Sequence, residues 1–252
     1  MDLRLRGKRA LVTGSSRGIG RAIALSLADL GVDVAINYLR NRAGAEATVA
    51  ELESRGVRAL LLKGNVANPD HVNRMFAAIE ERWGGLEIVV SNAASGVLKS
   101  AKELTLHHFD WAMHINAAAL LPITQGFVAL PSAGGKVLVA VSSLGAVRAI
   151  PNYTAVGASK AALESMVRHL AAELAPEGLR INAVSAGTVD TDALHHFPNR
   201  QELLDGARSR TPAGRLLDPQ DVANVVIFLC TEYASMIHGQ ILTVDGGYSI
   251  LA

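Results

Sequence analysis

The chain has 252 residues, half of them hydrophobic and 19% charged, with a formal net charge of +1 and a single cysteine, Cys230. That composition supports a sizeable core, and without a long run of Lys or Arg it argues against a nucleic-acid or anionic-membrane partner. A lone cysteine excludes an intrachain disulfide and fits a reducing compartment.

In chain order, the opening MDLRLRGKRALVTG carries charges where a signal peptide is apolar, and no uninterrupted apolar run approaches a membrane span, so a cytoplasmic protein is expected. Short β-branched runs predict strands at Arg9–Thr13, Asp33–Asn37, Arg58–Leu62, Glu87–Val90, Lys136–Val141, Arg180–Val184 and Ile241–Val244. Between them, helical spacing of apolar residues begins near Gly18, Asn41, Asn68, Thr105, Asn152 and Asp218. Asn68-Pro69-Asp70 and Asp218-Pro219 place proline just inside the first turn. Cys230, in VVIFLC on the last helix, reads as buried packing.

Alternating strands and helices predict βαβ units, and the continuous apolar strand KVLVAVSS predicts a sheet covered on both faces. No linker or repeat divides the chain. The expected fold class is α/β, a single-domain doubly wound Rossmann-type parallel sheet of about seven strands flanked by helices. The polar stretch 188–214 interrupts the pattern as a candidate substrate lid. Within it, Leu194, Phe197, Leu203 and Leu204 either line an acyl pocket or pack the lid itself.

Directly after the first strand comes Thr13-Gly14-Ser15-Ser16-Arg17-Gly18-Ile19-Gly20. A glycine-rich turn between strand and helix lets the backbone approach a pyrophosphate, with the helix N-terminus supplying free N–H groups and partial positive charge. The second strand ends Ile36-Asn37-Tyr38-Leu39-Arg40-Asn41-Arg42, with no acid from Val34 through Ala45. Asp33 begins that strand, about 13 Å from its ligand-facing end. Without an acid for a ribose 2′-hydroxyl, and with Arg17, Arg40 and Arg42 available for a 2′-phosphate, the expected cofactor is NADPH.

The stretch NYTAVGASKAA holds Lys160 with Val156, not tyrosine, four residues earlier; Tyr153 stands seven residues before the lysine. A Tyr-x3-Lys pair is the proton-delivery unit of many carbonyl reductases. The Tyr153/Lys160 spacing still faces one way on a helix, but separates the pair by about 10 Å along the axis instead of about 6 Å. His107-His108 and His195-His196 are adjacent pairs that form no chelating face, and no metal is expected. Neither Ser142 nor Ser143 stands in a Gly-x-Ser-x-Gly nucleophile elbow.

On these residues the chain resembles the short-chain dehydrogenase/reductases along essentially its full length, and within them the enoyl-[acyl-carrier-protein] reductase III type. TGSSRGIG matches the cofactor turn, and SNAASGVL, NYTAVGASKAALE and DTDALHHFPNR followed by TPAGR resemble the type III enzymes. The resemblance implies that Asn65-Val66 lies near the adenine, and that Asn92-Ala93 ends the fourth strand beside the cofactor. It implies that Gly187 and Thr191 touch the nicotinamide carboxamide, and that Lys160 holds the nicotinamide ribose. It makes Asn116 the helix asparagine that supports a water near that lysine, or else a structural asparagine. It makes Ser143 a carbonyl-binding serine or else a loop hydroxyl. Departures are Asn65 for Asp, Ala94 for Gly, Ala186 for Pro, which would loosen the nicotinamide loop, and above all Val156 for Tyr. A homotetramer is implied by the resemblance alone.

The displaced tyrosine suits conjugate reduction. Carbonyl reduction needs its proton donor close to the atom that receives hydride. An enoyl thioester takes hydride at C3 while negative charge develops on the C1 oxygen, so the stabilising donor belongs farther away. Tyr153 is expected to hold that oxygen, with Ser143 secondary, in an NADPH-dependent enoyl reductase of fatty-acid or related acyl-chain synthesis, its substrate carried by acyl carrier protein or coenzyme A. The rivals are a 3-ketoacyl or other carbonyl reductase, and an NADPH-binding regulatory protein without turnover.

Overall fold

A computed structural model describes residues 3–189 and 200–251. Thr191, Leu194 and Phe197, and the side chain of Leu203, lie outside the described residues. Seven parallel strands form one sheet in the order β3-β2-β1-β4-β5-β6-β7. They are β1 (Arg9–Val12), β2 (Asp33–Tyr38), β3 (Ala59–Lys63), β4 (Ile88–Ser91), β5 (Lys136–Ser143), β6 (Leu179–Ala186) and β7 (Ile241–Val244). The strand order reverses between β1 and β4, which opens a crevice at their carboxyl ends.

Period-2 alternation divides the core. Ala10, Val12, Val34, Ile36, Val139 and Val184 face one side, against α1 (Gly18–Asp29), α2 (Arg42–Ser54) and α8 (Pro219–Cys230). Leu11, Ala35, Val89, Leu138, Ala140 and Ala183 face the other, against α3 (Pro69–Trp83), α5 (Leu120–Ala129) and α6 (Thr154–Leu174). Cys230 is buried in the first layer, and burial pushes its thiol up to about 12, the state of an inert packing residue.

The helix starts follow the capping residues. Asn41 and Asn68 accept hydrogen bonds from first-turn amides of α2 and α3. Asp218 and Asp221 form a reciprocal capping box at α8, as do Thr105 and His108 at α4 (Leu106–Met113). The helix expected from Thr105 is broken. A π-helical segment, His114–Ala118, separates α4 from α5. Together Leu106–Ala129 is long and apolar enough on average to cross a membrane, although polar residues interrupt it, and half of its most apolar window is buried inside the fold. α5 packs on α3 as a core helix.

Two strands run past their expected ends. β5 continues through Ser142 and Ser143, and β6 through Ala186, because Ser142↔Ser185 and Ser143↔Ala186 remain in register. Ala186 is buried between β5 and β7, so it extends the sheet rather than loosening a loop. Of the 188–214 stretch, Arg200–Arg210 forms α7, with Leu204 and Ala207 buried. The following turn is tied to the core by Ala213 N–H donating to the Gly246 carbonyl at 3.0 Å.

Candidate active site

A cleft of about 1070 Å³ opens at the carboxyl ends of the strands. Its floor on one side is the glycine-rich turn. Gly14 has φ +63°, and a Cβ there would come 2.8 Å from the Ala93 Cα; at Gly20 it would come 2.5 Å from the Asn92 side-chain nitrogen. Asn92 locks the turn by donating to the Thr13 and Gly14 carbonyls at 3.0 and 3.2 Å. Ala93 N–H donates to the Thr13 hydroxyl at 3.0 Å. The N-cap of α1 is Arg17, whose side chain makes no capping hydrogen bond. Ser16, Gly18 and Ile19 line the cleft at this helix end. A crowded glycine turn beneath a helix N-terminus with no side-chain cap fits a diphosphate.

At the end of β2, Tyr38 is buried and lines the cleft beside Arg40 and Arg17. Asp33 lies at the opposite end of the strand, engaged by Arg58 at 2.7 Å. Arg42 is paired with Glu46 at 2.7 Å, which leaves Arg17 and Arg40 as the arginines of the cleft wall here. Asn65 and Val66 line the same wall, with the Asn65 side-chain oxygen accepting from Ala67 N–H at 3.1 Å. Gly187 lines the far side, its N–H bonded to the Val244 carbonyl at 2.8 Å. Sequence reasoning singled out all of these except Asn37, which is buried and ties β2 to the β3 end through the Leu62 and Gly64 carbonyls.

The reactive end is built from β5 and α6. Asn152 adopts φ +61°, a left-handed conformation that asparagine tolerates, and turns the chain into α6. Tyr153 is the N-cap rather than a helical residue, although its carbonyl accepts the first helical bond, from Gly157 N–H at 2.7 Å. Its hydroxyl donates to the Ser143 Oγ at 3.3 Å. Ser143 Oγ also accepts from Gly145 N–H at 3.3 Å, so it serves as both loop hydroxyl and partner of the phenol. A Cβ at Gly145 would overlap the Tyr153 ring, and one at Gly157 would come 2.6 Å from the Gly145 carbonyl oxygen. These two glycines form the seat of the phenol, and neither stood out in the sequence. Val156 is buried against Gly96, so an apolar side chain fills the position where ordinary carbonyl reductases carry their tyrosine.

Lys160 is buried and donates to the Val141 carbonyl at 2.7 Å. Burial lowers its pKa to about 8, opposed by the Glu164 carboxylate one turn along. Burial raises the Tyr153 phenol, opposed by its bond with Ser143, so the hydroxyl is a neutral donor. Asn116, within the π-helical segment, accepts from Ser95 N–H and donates to the Ser95 carbonyl, both at 2.8 Å, and donates to the Ser159 hydroxyl at 2.9 Å. It fastens the loop after β4 to α6 and makes no hydrogen bond with Lys160. Trp111, unremarked in the sequence, lines the cleft and donates from its indole to the Ser95 hydroxyl at 3.0 Å.

A family model described as enoyl-(acyl carrier protein) reductase matches residues 14–249. The chain belongs to the short-chain dehydrogenase/reductase family. It is 41% identical over 245 residues to a 1-cyclohexenylcarbonyl-CoA reductase of Streptomyces collinus, covering 96% of this chain and 87% of that protein. A versicolorin reductase of Emericella nidulans is 34% identical over 98% of this chain and 97% of its own. Among solved structures, a short-chain dehydrogenase of Burkholderia cenocepacia in complex with NADP superposes with a TM-score of 0.91 at 37% identity, covering 98% and 99% of the two chains. The protein is thus an oxidoreductase of the short-chain dehydrogenase/reductase kind, with a site for a nicotinamide cofactor.

Proposed function

We propose that the protein reduces the 2,3 double bond of an enoyl thioester with NADPH. One observation carries this reading: Tyr153, seated at the N-cap of α6, reaches Ser143 while Val156 occupies the usual tyrosine position. In this reading the proton donor enters the site from the helix cap, not from the helical position four residues before Lys160. The similarity to a 1-cyclohexenylcarbonyl-CoA reductase supports the same reading.

Bound NADPH supplies the hydride. The glycine turn and α1 would hold its diphosphate, Arg17 and Arg40 its 2′-phosphate, and Lys160 its ribose hydroxyls. Tyr153 donates its hydroxyl hydrogen to the thioester oxygen and stabilises the enolate that forms when C3 is hydrogenated. Ser143, bonded to the phenol, orients that donor. A proton from solvent, delivered to C2 directly or relayed through Tyr153, completes the saturated thioester. The buried ammonium of Lys160 adds positive charge to the site. The carrier in this reading is acyl carrier protein or coenzyme A, and the setting is acyl-chain synthesis in the cytoplasm.

A second reading rests on the Tyr153–Ser143 hydroxyl pair, which suits a ketone oxygen as well, and on the versicolorin reductase similarity. The assay that separates them follows NADPH oxidation with crotonyl and acetoacetyl thioesters on the purified protein. Enoyl reduction predicts at least a tenfold higher kcat/KM for the crotonyl substrate, by about 1.4 kcal/mol of differential transition-state binding. Preference for the 3-keto thioester rejects it, and NADPH binding without oxidation of either marks a regulatory protein.

A further inference from the structure

Two arginines on the substrate side of the cleft are oriented by neutral partners. Arg148 lies in the loop between β5 and α6, Arg210 is the last residue of α7, and both are exposed and line the cleft. One short turn, Tyr248–Ile250, holds both. Arg148 Nη2 donates to the Ser249 carbonyl at 2.6 Å, and the Arg210 guanidinium lies 5.1 Å from the centre of the Tyr248 ring. The turn is itself pinned. The Asp245 carboxylate accepts from Gly247 N–H at 2.9 Å and Ser249 N–H at 2.8 Å, so the acid of this turn is already engaged.

Neighbouring arginines behave otherwise: Arg208 pairs with Asp205 at 3.8 Å and Arg215 with Asp221 at 2.5 Å. Among the described residues no carboxylate pairs with Arg148 or Arg210. A carbonyl and an aromatic face aim a guanidinium without cancelling its charge. Two like charges held by adjacent residues of one turn, Tyr248 and Ser249, at the wall of one cleft favour an anion there, and the guanidinium fork matches phosphate oxygens in pairs. The cofactor's phosphates have their own place at the β1 turn, on the other side of the strand reversal from β5. An anion at Arg148 and Arg210 therefore belongs to the acyl substrate.

The geometry points to Arg148 and Arg210 as a subsite for the phosphate of the substrate's thioester arm. This rests on the thioester reading above for the nature of the arm. Coenzyme A and a carrier protein both present their acyl group on phosphopantetheine, so the shared chemistry is a phosphate ester, and the probes below distinguish its sources.

The test measures dissociation constants by titration calorimetry on the NADP-loaded protein, with four unreactive saturated probes. These are S-butyryl-N-acetylcysteamine, which has no phosphate, S-butyryl-4′-phosphopantetheine, butyryl-coenzyme A and a butyryl carrier protein. Arg148→Ala and Arg210→Ala are each expected to weaken the phosphopantetheine and coenzyme A probes about tenfold, as for a charge-assisted hydrogen bond, against less than about twofold for the phosphate-free probe. Arg148→Lys, which keeps the charge, is expected to recover part of the loss. Loss confined to butyryl-coenzyme A places the pair on the nucleotide-borne phosphates and overturns the assignment to the phosphate of the arm. Equal loss across all four probes overturns it in favour of a packing role. It is equally overturned by loss confined to the carrier protein, by no loss, or by a wild type that favours no phosphate-bearing probe. Because none of these probes is reduced, a failed crotonyl assay rejects the reaction assignment without touching this result, and the converse also holds.

Discussion

In the proposed reaction Tyr153 and Lys160 are set apart by their surroundings. Burial raises the phenol and lowers the ammonium, so one remains a neutral donor while the other titrates near pH 8. Tyr153→Phe is expected to lower kcat by about a hundredfold, the effect of removing one donor to a developing oxyanion, and to leave the dissociation constant of NADPH within about twofold. Unchanged turnover in that variant would remove the phenol from the chemistry. Glu164 is buried one turn beyond Lys160 and accepts from the Ser142 hydroxyl at 2.7 Å. Its carboxylate favours the ammonium form of Lys160, which burial opposes. In the proposed reaction Lys160 acts as a cation, so activity should fall as pH rises through about 8. Glu164→Gln keeps an acceptor for Ser142 but removes the charge, so the alkaline limb of the kcat/KM profile should move to lower pH. A limb at the same pH in wild type and variant would deny Glu164 this electrostatic role.

At the scale of elements, the site depends on how the loop after β5 meets the first turn of α6. That junction places Tyr153 by contact with Gly145, with Gly157 keeping the Gly145 carbonyl close. A methyl group at position 145 displaces the ring without touching the cofactor turn. Gly145→Ala is therefore expected to reduce kcat by roughly tenfold to a hundredfold, the penalty of an ångström-scale misplacement, with NADPH affinity preserved. Equal losses in kcat and NADPH affinity would instead indicate general damage to the fold. The π-helical segment plays a comparable positioning part, since it presents Asn116 to both Ser95 and Ser159.

The whole molecule leaves apolar side chains outside its own core. Phe228 on α8, Tyr233 and Met236 just beyond it, and Ile250 and Leu251 are all exposed. We propose that they lie at contacts between copies of the chain, in the homotetramer that the family resemblance implies. Sedimentation equilibrium should give four times the chain mass, and Met236→Asp with Phe228→Asp should shift the distribution to smaller species. A monomer at micromolar concentration would reject the assembly.

The sequence alone was enough for the strand and helix alternation, the cofactor turn and the departure at Val156, because each is written in local spacing. Continuous apolar runs between capping residues define a parallel α/β sheet, and a Gly-x3-Gly-x-Gly turn after its first strand is specific in that context. Local spacing did not foretell that Tyr153 would sit at a helix cap, that β6 would run on to Ala186, or that the helix after Thr105 would pass through a π turn. Those outcomes depend on partners far away in the chain: Ala186 in register with Ser143, Glu164 beneath Ser142, Ser159 against Asn116. The pairing of Arg148 and Arg210 through one turn near residue 248 is of the same kind. Propensity is read from neighbours in sequence, whereas a site is made by neighbours in space, and only the packed sheet brings these together.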